Sequence, residues 1–144
     1  MDKDEKTALL SAVNESVIRE LPTLNLAYIG DTVYDLYIRG YLVKNKKGRV
    51  TDMHRFASGA VNARAQARAA LLLAPVFSER ESDIFRLGKN AKSRPPKNMS
   101  VEDYTLATGI EAVVGYLFLT GQHDRLNTFF SAIIAHFFGE DHHA

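Results

Sequence analysis

The sequence has no cysteine, which excludes disulfides and thiolate zinc sites and fits a reducing, cytoplasmic setting. It also lacks long apolar runs, since none approaches the roughly 20 residues that span a bilayer. The N-terminal string MDKDEKTALL is charged and has no apolar signal-peptide core, so neither secretion nor a membrane partner is expected. An excess of one charge is missing too. Lys and Arg number 18 against 17 Asp and Glu, so overall electrostatics do not point to nucleic acid and only local clusters could. There is no internal repeat and no low-complexity tract. What is present is the composition of a folding protein, with 46% hydrophobic and 10% aromatic residues. At 144 residues the chain suits a single domain over 1–144.

Apolar residues recur at helical spacing almost throughout, and no convincing strand alternation appears, which predicts an all-α fold. A first helix is expected over about residues 4–20, ending before Pro22. A second runs from near Thr23 to about Val43, with Leu26, Ile29, Val33, Leu36 and Tyr37 on its apolar side, and ends in the KNKKG turn. A third opens at a Thr51 cap, places Met53, Phe56, Ala57, Ala60 and Val61 on one face, and bends near Asn62. Ser78 with Glu81 forms a capping-box signature for a short helix that ends at Gly88. Residues 89–99, with two prolines and no periodicity, read as an exposed loop. Ser100 caps a helix over about 101–119, and a last helix carries the stripe Leu126, Phe129, Phe130, Ile133, Ile134 and Phe137.

Two acids stand in otherwise apolar, small-residue helices, where an ionised carboxylate is costly unless paired or metal-bound. Asp31 lies in NLAYIGDTVYDLY, after a mid-helix glycine that costs about 1 kcal/mol relative to alanine and so invites a packing or functional reason. Glu111 lies in ATGIEAVVGYL, whose Ala107, Gly109, Ala112 and Gly115 make a helix thin enough for close packing. If the two helices cross there, the carboxylates form a hard-oxygen site of the kind magnesium takes. The competing reading pairs each acid with a base elsewhere. Asp35 shares the Asp31 face, but Arg39 four residues on accounts for it as a surface ion pair. The five histidines are scattered. The dipeptide His123-Asp124 raises an HD-type metal phosphohydrolase, but it follows Gly121, where an aspartate serves as an ordinary helix-start residue.

The strings LAYIGDTVYDLYIR and GIEAVVGYLFL resemble the two signature helices of the ribonuclease III catalytic domain. With DMHRFASGAVNARAQA and GKNAKSRPPKN, the likeness covers about residues 22–120 and is closer to the mini-ribonuclease III subfamily. The resemblance implies a helical, homodimeric endoribonuclease that cuts double-stranded RNA, without a separate double-stranded RNA-binding domain. It implies 5′-phosphate and 3′-hydroxyl ends and a role in maturing precursor large-subunit ribosomal RNA. It places the signature aspartate on Asp31 and the signature glutamate on Glu111, as catalytic residues and ligands of magnesium, with manganese as a substitute. Ordinary ribonuclease III has carboxylates where this chain has Leu24, Ala27 and Thr108, so the acid set here is the thinner one of the subfamily. The alternative is a non-catalytic RNA-binding module on the same fold, against which retention of both acids argues. Lys89, Lys92, Arg94 and Lys97 in the proline loop are the candidate phosphate contacts, ahead of the Lys44–Arg49 turn.

Overall fold

The computed structural model describes residues 9–46, 48–91 and 94–142, and the elements among them are all helical: α1 (Glu15–Glu20), α2 (Thr23–Asn45), α3 (Val50–Val61), α4 (Ala63–Leu73), a 3-10 turn (Ala74–Val76), α5 (Glu79–Lys89), α6 (Val101–Leu119) and α7 (His123–His142). The sequence expectation of an all-α fold holds. Helix α6 is the axis of the body. Its residues 106–110 and 112–117 are buried without a break, which is why its sequence is apolar all round rather than striped. Helices α2, α4 and α5 pack directly on it. Helix α7 adds Leu126, Phe129, Phe130 and Ile133, all fully buried, with the Phe130 ring stacked on Tyr37 at 4.3 Å.

Close approach to α6 depends on small residues. A Cβ on Gly88 of α5 would lie 2.9 Å from the Cα of Gly109 in α6. The sequence reading ends this helix at Gly88, but α5 continues to Lys89, and Gly88 serves instead as the close-packing point on α6. The expected capping box does start α5. Glu81 Oε1 accepts from the Ser78 amide at 2.7 Å, and the Ser78 hydroxyl accepts from the Glu81 amide at 3.1 Å.

The first helix is shorter than expected. Residues 4–8 lie outside the described residues, and α1 begins only at Glu15, with the Asn14 side chain accepting from the Val17 amide. Upstream, the Val13 amide donates to the Leu119 carbonyl at 2.8 Å. That satisfies an orphan acceptor at the C-terminus of α6 and commits Val13 to a partner outside its own helix. Helix α3 opens at Arg49 rather than Thr51, because the Asp52 carboxylate accepts from the Arg49 amide. The bend at Asn62 is a full break: its ψ of 165° is extended, and its side chain accepts from the Ala65 amide at 2.8 Å to start α4. Leu36 and Phe56, assigned to apolar faces, are 63% and 42% exposed.

One ion pair is built into the core. The Glu81 side chain is 4% exposed and lies 2.8 Å from Arg125 of α7. Burial alone would raise the Glu81 pKa, but Arg125 and the Ser78 amide and hydroxyl together hold it below the ordinary value. A depressed folded-state pKa stabilises above the unfolded value near 4.5, and the contribution disappears as pH falls through the folded value. Arg125→Met should therefore cost about 2–3 kcal/mol at pH 7, less than a fully buried pair because Arg125 is partly solvated. Urea unfolding at pH 7 and pH 4 checks this, and the deficit should shrink at the lower pH.

Candidate active site

Helices α2 and α6 touch backbone to backbone. A Cβ on Gly30 would sit 1.7 Å from the Glu111 carbonyl oxygen, and one on Gly115 would sit 1.9 Å from the Leu26 carbonyl oxygen. Each glycine thus fits against the backbone of the other helix, and nothing larger is compatible with this separation. Asp31 follows Gly30, and Glu111 supplies the carbonyl that Gly30 meets, so the crossing brings the two acids together.

The Glu111 side chain is half-buried and its pKa is pushed up to about 9, first by burial, then by a hydrogen bond to Asp31 and by the Asp31 charge. The Gln66 amide of α4 opposes this weakly. Asp31 is solvent-exposed. The pair is therefore an exposed acid, Asp31, backed by a half-buried one whose surroundings favour its protonated form. No third acid or histidine joins it: the described residues contain no cluster of three or more His, Asp or Glu able to hold a metal. Thr108 is buried and gives its hydroxyl to the Tyr104 carbonyl at 2.9 Å, so it supplies no metal ligand.

The raised pKa carries a stability signature. Between the unfolded value of 4.5 and about 9 the folded state holds a proton that the unfolded state has released, so stability falls as pH rises across that window. Glu111→Gln removes the penalty. Thermal unfolding in chelator at pH 8 should show this variant more stable than the parent by about 1–2 kcal/mol, or roughly 3–8 °C, with the gap closing toward pH 5.

Asp35 pairs with Arg39 at 2.8 Å on the surface, as its spacing suggests. His123 packs edge-on against Phe118 at the start of α7. Of the basic loop, Lys92 lies outside the described residues. Lys89 places its ammonium 5.0 Å from the Phe85 ring centroid, while Arg94 and Lys97 are exposed. Lys97 lines an open groove of about 770 Å³ with Arg64 and Arg68 of α4, Glu102 and Asp103. Arg64 and Arg68 were not singled out from sequence, although their i,i+4 spacing puts two cations on one helix face. Gln66 and Tyr34, both buried near Glu111, were also missed.

A family profile for the ribonuclease III domain matches residues 24–122. The chain is 44% identical over 108 residues to the mini-ribonuclease 3 of Symbiobacterium thermophilum, covering 74% of this chain and 83% of the relative. It is 44% identical over 123 residues to that of a Thermoanaerobacter species, covering 85% and 84%. Among solved structures, a protein from Fusobacterium nucleatum superimposes with a TM-score of 0.75 at 26% identity, over 81% of this chain and 94% of that one.

Proposed function

Since the chain belongs to the ribonuclease III family and is therefore an endoribonuclease, we propose that it cuts double-stranded RNA with a divalent cation held by Asp31 and Glu111. The observation that carries this reading is the convergence of these two carboxyl groups at the crossing of α2 and α6. Two hard oxygen donors fit magnesium, or manganese in its place, because such ions keep several waters and need few protein ligands. When bound, the cation supplies an acidified water and charge neutralisation at the scissile phosphate. Asp31 and Glu111 hold and orient it, and Glu111 gives up its proton to do so. None of the five histidines is required as a base.

The products carry 5′-phosphate and 3′-hydroxyl ends, and the substrate is precursor large-subunit ribosomal RNA in the cytoplasm. The chain works as a homodimer, which the exposed Tyr28 and Leu36 of α2, 83% and 63% accessible, support as surfaces suited to burial. No helix among the described residues is long and apolar enough to cross a membrane. Incubation of the purified chain with duplex RNA and magnesium tests the reading. Cleavage that stops on chelation is expected, whereas duplex binding without cleavage would leave only a binding module.

Lys89, Lys92, Arg94 and Lys97 contact the RNA backbone, with Lys97 sharing its groove with Arg64 and Arg68. Arg94→Ala with Lys97→Ala, in a cleavage-dead parent, should weaken binding to all duplex sequences alike. The slope of affinity against salt should fall by about one for each lost phosphate contact. An unchanged slope would shift the contact to the Lys44–Arg49 turn.

A further inference from the structure

Two buried side-chain polar atoms among the described residues lack a hydrogen-bond partner, the Gln66 Nε2 and the Tyr34 hydroxyl. Gln66 is 3% exposed and Tyr34 is 0% exposed, and buried donors are normally satisfied, so each demands a reason. Gln66 meets Glu111 directly, and Tyr34 lies within reach of its charge. The Gln66 amide approaches the Glu111 carboxyl group without closing a full hydrogen bond. Gln66 is aimed inward by the locked first turn of α4. The Gln66 backbone N–H donates to the Asn62 carbonyl at 2.9 Å, next to the Asn62 side-chain cap. The buried Ala65, Ala67, Ala69 and Ala70 let α4 lie close to α6.

We propose that Gln66 is a positioning residue for Glu111, its side-chain amide holding the carboxylate in the orientation that binds a cation, with the Tyr34 hydroxyl as a second buried donor. A carboxylate ligand has up to four acceptor sites and no donor. A cation occupies only part of that capacity, and ligating carboxylates are themselves held by hydrogen bonds from behind. Both donors sit unpaired in this structure and are available for that task. The inference rests on the reading of Asp31 and Glu111 as cation ligands.

Binding of Mn²⁺ alone to the full chain, followed by electron paramagnetic resonance, tests it alongside magnesium-supported cleavage kinetics. Gln66→Met and Tyr34→Phe remove the unpaired donors at nearly constant volume, so both should unfold at or above the parent temperature. They should nevertheless weaken Mn²⁺ binding roughly 10- to 100-fold and lower kcat, with the KM for duplex RNA unchanged. A purely structural glutamine would not separate stability from cation affinity in this way. Parental Mn²⁺ affinity in folded Gln66→Met overturns the proposal; if that variant does not fold, parental affinity in Tyr34→Phe overturns it instead. Asp31→Asn separates the two levels. If it too binds Mn²⁺ like the parent, the cation reading itself fails, whereas its loss beside normal binding in Gln66→Met defeats this inference alone.

Discussion

Asp31→Asn and Glu111→Gln should each lower magnesium-supported cleavage by about three orders of magnitude, equivalent to roughly 4 kcal/mol of transition-state stabilisation. The size follows from the pair standing alone: with no third His, Asp or Glu clustered with them among the described residues, nothing nearby can replace a lost ligand. Folding should survive both changes. In Glu111→Gln the new amide can still donate to Asp31, and the penalty of a half-buried acid disappears. In Asp31→Asn the changed side chain is exposed, where substitutions usually move stability by no more than about 0.5 kcal/mol. Duplex binding should persist, because neither change alters the basic residues proposed to contact phosphate. The measurement is single-turnover cleavage of a duplex with circular dichroism on the same samples. Near-parental rates from either folded variant would remove that residue from the site.

Gly30→Ala and Gly115→Ala should be the most destabilising single-methyl additions in the described chain. At 1.7 and 1.9 Å from carbonyl oxygens, the new atoms meet backbone and not a side chain that can turn away. The helices must then separate along the most extensive helix contact among the described residues. Overpacking ordinarily costs about 1–3 kcal/mol; a clash with helix backbone should exceed that, at about 4 kcal/mol or more, against a total stability of roughly 5–15 kcal/mol. Gly40→Ala and Gly59→Ala supply the opposite sign. Nothing lies within 4 Å of a Cβ at either position, and both are inside helices, so alanine should stabilise by about 0.5–1 kcal/mol. Thermal melts of the four variants decide the matter. Gly30→Ala melting like the parent would mean that the crossing is looser than described.

What was legible in the sequence follows from how local its physics is. Ser78 with Glu81 and Ser100 announce their helices because capping is settled within four residues. Asp31 and Glu111 stood out because a lone acid among Ala, Gly and Val conflicts with its surroundings. The start of α1 at the Asn14 cap was missed because helical spacing runs on upstream, where Val13 is instead tied across the fold to Leu119. Gly88 was read as a stop because glycine favours both helix ends and close packing, and only the position of Gly109 decides between them. Gln66 was invisible for a related reason: in ARAQARAA it looks like an ordinary surface helix former, and burial against Glu111 is a tertiary fact. Leu36 and Phe56 fit the periodicity but fall at the margin of their faces, where helical spacing alone does not separate core from surface.

The crossing of α2 and α6 joins residues 80 positions apart, Asp31 and Glu111. During synthesis, α2 emerges long before α6, and until α6 arrives Asp31 has no companion acid and Gly30 has no surface to meet. Loop closure over that distance comes only with the near-complete fold. An endoribonuclease is thus made, on an RNA template and by an RNA machine, with its two lone helix acids kept apart until most of the chain has left the ribosome.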